Sequence, residues 1–229
     1  MSSTLLQLRD QIILDAQIEG SPDFPIARLN RIINFAQRYV QTQLNGLGMK
    51  KWESSDSLSL TNRTWVGLSV GTANLSSDCS NMLEMPGSIK YIHCVDGSSN
   101  DGLAKELDDR RFYEIVSNTY TAPTVAEPAF MRLAQRIYIY PAPTTATAYY
   151  YKAITDLSSN TDTTEIPVEF EEFIVKRSVL EVDDIKGKLQ DKELALRQLD
   201  KEIRETHERH FMKLASMQEV SKKDNAKLQ

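Results

Sequence analysis

The residues with the clearest capacity for metal chemistry are two histidines near the end of the chain. His207 and His210, in the segment HERH, are three positions apart, so one helix face could present both to a metal ion. The zincin pattern instead requires histidines four positions apart, with a glutamate beside the first. Of the three histidines only His93 remains to complete a site, and it is distant in the sequence. We interpret His207 and His210 as solvated or interface histidines and predict no metal site.

Two glycine-containing segments resemble ligand loops without matching them. The segment GLGMK at 46–50 lacks the spacing of a phosphate-binding loop and its following Ser or Thr, which favours a helix end. In DGSSNDG at 96–102, Asp96, Ser98 and Asn100 alternate as in a calcium loop, but the twelfth position is Leu107 instead of a glutamate. We predict that this segment is a turn.

The paired carboxylates do not have the spacing of an acid–base dyad. The pairs at 108–109 and 183–184 are adjacent, and adjacent residues on a helix point about 100° apart. No serine or cysteine lies in a nucleophile-elbow context, and three histidines leave few general bases. The sequence therefore predicts a protein that is not an enzyme and uses no cofactor.

The composition is that of a globular protein with an acidic balance. The 229 residues, 41% hydrophobic and 26% charged, suit one domain or one domain with a second inserted. The net charge of −5 argues against unaided nucleic-acid binding, which relies on clustered basic side chains. Cys79 and Cys94 are expected to be free thiols, and a disulfide between them is the open alternative.

The chain carries no signal of secretion or membrane insertion. Its start lacks the basic region and long apolar run of a signal peptide, and no window approaches the ~18 apolar residues of a membrane span. We expect synthesis in the cytosol, no membrane contact, and departure only as part of a larger assembly.

Hydrophobic periodicity divides the chain into helical and extended parts. A helix over 4–17, capped by Thr4 or Ser3, precedes a second helix that starts near Pro25. A third starts at Pro167, where glutamates suit the positive end of the helix dipole. A long charged helix follows at about 189–218.

These elements predict an α+β fold. We expect the N- and C-terminal helices to form one bundle, the chain between them to form an inserted antiparallel β domain, and the last residues to form a flexible tail. The corresponding ranges are 1–48 plus 165–218, 49–164, and 219–229.

Short alternating runs indicate the strands of the insert. They lie at 58–60, 65–68, 89–95, 130–133, 137–140 and 148–154, between clusters of Ser, Asn, Asp and Gly. Apolar residues within 103–117 predict one helix in this region.

The segment RIYIYPAPTTATAYYYKAI at 136–154 is the most unusual part of the insert. It has the pattern of a β-hairpin, with Ile137 and Ile139 on one face and Tyr138 and Tyr140 on the other. Tyrosine suits a half-exposed sheet surface and is also enriched at subunit interfaces. Packing within one chain and contact with a partner therefore both remain open for these tyrosines.

The last helix carries an apolar stripe that needs cover. Its members are spaced by three or four positions: Leu196, Leu199, Ile203, His207, His210, Leu214 and Met217. A helix of about 30 residues would extend about 45 Å. Either it follows its own bundle for its whole length, or its outer half lies on another chain.

The order of these parts resembles the head-to-tail adaptor, or connector, proteins of tailed bacteriophages, particularly short-tailed ones. The resemblance is carried by the R-I-Y-I-Y-P-A-P strand and Tyr-rich return within 136–151, and by Pro-x-x-Phe-x-x-Phe-Ile opening a helix within 166–182. It implies a ring of identical subunits, commonly twelve, beneath the portal protein. It also implies a C-terminal helix docked on the portal, a tail nozzle or tube on the far face, and DNA passing through the centre.

From this resemblance we expect a structural protein of the virion neck that is synthesised in the cytoplasm of the bacterial host. It would extend the DNA channel without binding DNA specifically and would provide the attachment platform for tail proteins. The portal or neighbour contacts are expected at Leu196, Leu199, Ile203, His207, His210, Phe211 and Leu214, and ring or tail contacts at Tyr138, Tyr140, Tyr149 and Tyr151. The alternatives are another tail-completion or minor tail protein, a tail-associated hydrolase, and a nucleic-acid-binding regulator.

Overall fold

The structure, a computed structural model, describes residues 2–65, 68–82, 88–98, 100–118 and 122–226. Its helices and antiparallel-rich sheet confirm the α+β prediction. Contacts divide the chain into two compact units, Met1–Lys50 with Ile154–Gln229, and Lys51–Ala153. We call them the helical unit and the sheet unit.

The described residues form six α-helices and one 3₁₀ turn. They are α1 (Leu5–Asp15), α2 (Ile26–Gly46), α3 (Leu75–Asp78), α4 (Asp109–Val116), the 3₁₀ turn η1 (Val168–Phe170), α5 (Glu171–Ile185) and α6 (Lys192–Ala226). The sequence placed the end of α6 at 218, and the structure extends it to Ala226.

Local sequence signals fix the helix ends. Thr4 caps α1 in a capping box, because its hydroxyl accepts the Gln7 backbone N–H at 3.3 Å while the Gln7 side chain accepts the Thr4 N–H at 2.8 Å. The chain leaves α2 through Gly48, whose φ of +86° is the left-handed conformation that favours glycine. The glycine ending predicted from GLGMK is thereby confirmed.

Helix α5 is central to the helical unit, since α1, α2 and α6 all contact it. Its buried side chains include Phe173, Ile174 and Val182. Burying each such side chain contributes roughly 1.5 to 3 kcal/mol. The buried apolar side chains on the other helices and on η1 include Leu5, Leu8, Ile12, Leu29, Ile33, Ala36, Val40, Leu44, Phe170, Leu199 and Ile203.

Side-chain amides of α2 hold the segment that returns from the sheet unit. Asn34 donates to the Leu157 carbonyl at 3.0 Å and accepts the Leu157 N–H at 2.9 Å. Gln37, fully buried, donates to the Thr155 carbonyl at 3.1 Å. These bonds satisfy backbone groups that no regular element pairs.

The sheet unit contains eight described strands. They are β1 (Glu53–Ser57), β2 (Thr61–Trp65), β3 (Leu68–Asn74), β4 (Ile89–Val95), β5 (Asp101–Glu106), β6 (Ala129–Leu133), β7 (Arg136–Tyr140) and β8 (Thr145–Tyr151). Their order in the sheet is β1-β8-β4-β5-β6-β7-β3-β2. All neighbours are antiparallel except β5 and β6, which pair in parallel through two residues each.

Connectivity requires this sheet to curl. Its edge strands, β1 and β2, are joined by only the three residues 58–60, which bridge at most about 14 Å. Opposite edges of a flat eight-stranded sheet would lie about 34 Å apart at ~4.8 Å per strand. The curl encloses one apolar core whose members include Leu75, Ile92, Phe130, Ile137, Ile139, Ala148 and Tyr150.

The two cysteines belong to this enclosed core. Cys79 and Cys94 are free thiols, each 2% exposed. Burial raises the pKa of Cys79 to about 11, with added effects of nearby Asp56 and Asp78, and that of Cys94 to about 12. The expected free-thiol state is confirmed, and both thiols are unreactive by environment.

A second, smaller core lies under α4 on the outer face of the sheet. Phe112 of α4 is buried there with Val70 of β3 and with Ala129 and Met131 of β6. The helix predicted over 103–117 is therefore wrong at its start. Residues 101–106 form β5, and α4 begins only after Asp108, whose carboxylate accepts the Arg111 N–H at 2.8 Å.

The hairpin predicted over 136–154 is also wrong. Strand β7 pairs with β3 and β6, whereas β8 pairs with β1 and β4. Both segments are strands, as predicted, but after the turn Thr144 donates its N–H to the Val95 carbonyl at 2.9 Å and not to β7. Alternation specifies strands and their faces, but it carries no information about which strands pair.

Candidate partner-binding surfaces

The near half of α6, residues 192–210, is attached to the helical unit by polar contacts. Tyr39 of α2 donates its hydroxyl proton to Asp200 at 2.5 Å, and Lys176 of α5 pairs with Glu202 at 2.7 Å. Burial, followed by the bond to Asp200, raises the pKa of Tyr39 well above its usual value. The phenol therefore stays protonated and keeps donating to α6 at any physiological pH.

A buried arginine connects α2, α5 and α6. The guanidinium of Arg177 lies over the rings of Phe35 and Tyr39, at 4.8 and 5.2 Å from their centroids. It pairs with Glu181 at 3.0 Å, and the same carboxylate lies 3.3 Å from Lys192 at the start of α6. Because a buried charge left unpaired is costly, this cluster fixes the position of the near half of α6.

Aromatic contacts continue this attachment to the end of the near half. His207 is 7% exposed and lies 6.4 Å from the Phe170 ring of η1 and 4.8 Å from the Phe211 ring. Burial, with a smaller effect of His210, lowers the pKa of His207. His210 packs edge-on against Phe170 at 6.3 Å, and its ring lies 3.8 Å from the Glu169 carboxylate.

Accessibility divides the predicted portal or neighbour contacts. Leu199, Ile203 and His207 are buried by their own chain, whereas Leu196 and His210 are half-buried. Phe211 is 55% exposed. The side chains of Leu214 and Met217 lie outside the described residues. Of the two alternatives for the stripe, packing on its own chain therefore applies to the near half of α6. The helices α2 and α5 and the turn η1 cover that face, and the predicted contact of Leu199, Ile203 and His207 with a partner stays a prediction.

Two large apolar side chains of α6 are exposed directly after the near half. Phe211 and Met212, 55% and 72% exposed, follow directly after His210. Met212 was absent from the predicted contacts. Its signal was a large apolar residue beside charged neighbours, in the segment RHFMK.

The tyrosine surface has partial cover from its own chain. Tyr138 and Tyr140 pack on the core under α4, and Tyr149 stacks on Tyr91 with centroids 4.5 Å apart. Lys90 lies 5.6 Å from the centroid of Tyr151. All four predicted tyrosines remain half-buried, so one face of each stays accessible. Ile137 and Ile139 face the enclosed core, which confirms the predicted assignment of faces.

The carboxylates that resembled ligand or catalytic groups serve local structure. Asp96 accepts the N–H groups of Ser98 and Asn100 at 2.8 and 2.9 Å, which confirms the predicted turn. Hydrogen bonding, first from the Asn100 side chain, lowers the pKa of Asp96. Asp184 pairs with Lys192 at 2.6 Å.

Two further observations concern metals and membranes. Among the described residues, no three His, Cys, Asp or Glu side chains lie together as a metal-binding group. Within the same residues, no helix combines the length and apolar character needed to cross a membrane.

Comparison with known proteins identifies a family. The sequence model of the SU10 adaptor protein family matches residues 3–219, which include the whole sheet unit and most of the helical unit. No curated protein matches the chain.

Proposed function

Since the chain belongs to the SU10 adaptor protein family and is thus a phage adaptor protein, we propose that it is a structural component of the virion neck. Copies of the chain form a ring beneath the portal protein, extend the DNA channel, and present the platform to which the tail nozzle or tube attaches. The number of copies, twelve, is the one that the resemblance to head-to-tail adaptor proteins implies. The observation that carries this proposal is the family match over nearly the whole chain.

The accessible part of α6 supports a portal contact at a defined place. Helix α6 has 35 residues and is therefore about 52 Å long. Its near half is fixed to its own chain, and Phe211 and Met212 follow as two adjacent exposed apolar side chains. Adjacent aromatic and methionine side chains are enriched at protein interfaces. We assign them, with Leu196, His210 and Leu214, to the portal or neighbour contact.

The tyrosine surface is assigned to the ring or tail contact. Tyr138, Tyr140, Tyr149 and Tyr151 are half-buried, and a tyrosine contributes large apolar area with a polar tip. These side chains can lose their remaining exposure to a neighbouring subunit or tail protein without unfolding the sheet that carries them.

The acidic balance supports passage of DNA without specific binding. A net charge of −5 per copy repels the phosphate backbone at a distance, and a ring multiplies this charge. DNA therefore passes through the ring without being bound specifically, and the specific contacts of the ring are with proteins.

Binding to purified portal tests the proposal. The double variant Phe211→Glu, Met212→Glu places two charges in the proposed contact and should weaken portal binding at least about tenfold, because charges buried without partners are costly. Leu194→Glu is the matched control, since Leu194 is a 52% exposed apolar residue in the near half of the same helix. It should bind portal as the wild type does.

Two outcomes would count against the proposal. Equal portal affinity for the wild type and the double variant would remove the assigned contact. Binding to tail proteins with no affinity for portal would favour a tail-completion role instead.

A further inference from the structure

The outer face of the sheet unit contains a groove with apolar walls and a basic margin. It has a volume of about 450 Å³ and lies between β5, α4 and the loop that precedes β6. Leu103, 59% exposed, and Leu107 contribute apolar surface, and Lys105 and Arg111 contribute the charge. Glu127 is the one carboxylate among the lining residues that the structure describes.

The walls of this groove are held in place by backbone contacts. A Cβ atom at Gly102 would lie 2.7 Å from the Val125 carbonyl oxygen, so the loop before β6 packs directly on β5. The Leu107 N–H donates to the Phe130 carbonyl at 2.9 Å, which fixes the end of β5 beside β6. A partner would therefore find the groove formed before binding.

The helical unit carries an exposed apolar side chain with two carboxylates beside it, Val168 with Glu169 and Glu172, which we call the acidic projection. Val168 of η1 is 53% exposed, although it lies between the buried residues Ile166 and Phe170. The side chains of Glu169 and Glu172 beside it are 43% and 60% exposed.

This projection borders an acidic and polar cleft. The cleft has a volume of about 950 Å³, and Val168, Glu171 and Glu172 line one side of it. Ser2, Ser3, Thr4, Gln7 and Gln11 line another side, and no lysine or arginine is among the lining residues that the structure describes. This side of the helical unit therefore favours a basic counterpart.

We propose that Val168 of one copy inserts into the groove between Leu103 and Arg111 of a second copy. Glu169 and Glu172 of the first copy then face Lys105 and Arg111 of the second. The inference rests on the proposed ring and names its subunit interface.

The occupant is a second copy because each chain carries both halves of the contact. At a net charge of −5, identical copies repel one another at a distance, and a local region of opposite charge offsets this repulsion and orients the encounter. The acidic projection and the basic groove provide that region. Because the two surfaces differ, the interface is heterologous, and repeating it closes a ring when the rotation between copies permits.

Cross-linking between chains that each carry one added cysteine tests the pairing directly. Val168→Cys and Leu103→Cys place one reactive thiol on the projection and one in the groove, and the native Cys79 and Cys94 are buried. With a short bismaleimide, a mixture of the two full-length variants across a concentration series should give a covalent dimer that contains one of each. Neither variant alone should give more dimer than the wild-type chain.

Charge reversal then tests the electrostatic part. Arg111→Glu or Glu169→Arg, added to the corresponding cysteine variant, should reduce the mixed dimer about tenfold, because an attraction becomes a repulsion. Both changes together should restore most of the yield. Arg110→Glu is the matched control, since Arg110 is on the same helix, pairs with Glu114 at 2.9 Å and does not line the groove. Its yield should equal that of the unreversed pair.

Three results would overturn the inference: no mixed dimer at any concentration, dimers of one variant alone in equal yield, or charge reversals with no more effect than the control. The portal-binding result for Phe211 and Met212 is independent of these outcomes. Loss of the cross-link with retained portal binding would reject this interface and leave the proposed function in place. The reverse result would reject the portal contact.

Discussion

Ile203 and Phe211 lie about two turns apart on α6 but in opposite environments. Ile203 is fully buried against its own chain, whereas Phe211 is 55% exposed. The sequence predicted both as portal or neighbour contacts and could not distinguish them, because the difference depends on how far α5 and η1 extend beneath α6. At the scale of residues, stability and partner binding are therefore assigned to different side chains.

Truncation at these two positions should separate the two roles. Ile203→Ala should lower the free energy of unfolding by roughly 2 to 5 kcal/mol, because it removes buried volume and leaves a cavity. Phe211→Ala should change it by no more than about 0.5 kcal/mol, as is usual for an exposed residue. Urea unfolding of both variants measures this. A large loss of stability for Phe211→Ala would show that its ring supports the fold.

His207 should make the stability of the helical unit depend on pH. Burial lowers its folded-state pKa below the unfolded value, which is near 6.5. The unfolded chain therefore takes up more protons in this range, and stability that is complete above about pH 6.5 falls as the pH drops through the folded pKa. Glu169 on η1 and Glu208 and His210 on α6 are the neighbouring ionisable groups.

Replacing this imidazole should flatten the dependence. His207→Leu keeps an apolar side chain against Phe170 but cannot be protonated, so its free energy of unfolding should fall less than that of the wild type between about pH 7 and pH 5. Urea titrations at several pH values measure both slopes. An identical slope for the variant and the wild type would exclude His207 as the source.

At the scale of elements, α6 combines a packed near half with a proposed binding half. Amide hydrogen exchange should show residues 199–210 protected in the isolated chain, because Leu199, Ile203 and His207 are buried there. Adding portal should leave that protection unchanged and should increase protection from residue 211 onward. Equal exchange in residues 211–226 with and without portal would contradict the proposed docking.

The elements that sequence patterns predicted well are those with one buried face. Strand β4 has the predicted bounds, α1 has its predicted Thr4 cap, and α2 has its predicted start and glycine ending, since alternating or helical burial marks each of them. The sequence did not predict the polar strands β1 and β2 with their correct bounds, since the predicted strands lay at 58–60 and 65–68. Strands β1 and β2 form the two edges of the sheet, and β1 is exposed along most of its length, so no apolar period records it.

Helix α4 shows a different limit. Leu103 suggested a helix start, but its side chain lies in β5 with 59% exposure, and the true start is the Asp108 cap. The sequence contained that signal, an aspartate whose carboxylate accepts the N–H three residues later. The spacing of the apolar residues outweighed it.

At the scale of the whole chain, the period of hydrophobicity predicted an insert between 49 and 164, whereas contacts divide the structure after Lys50 and at Ile154. Residues 154–164 have no period of their own, and they associate with the helical unit through the amides of Asn34, Gln37 and Gln41. Such long-range polar bonds leave no trace in a sequence pattern. The exposed sites also required the structure, because exposure of Phe211, Val168 or Leu103 is a property of what lies beside them.

An electron microscopy map of the phage particle that contains this chain tests the account most directly. The account predicts a ring of copies between the portal and the tail, with Phe211 and Met212 of α6 against the portal and DNA in the central channel. Copies located elsewhere in the particle, or a ring in which α6 points away from the portal, would contradict it.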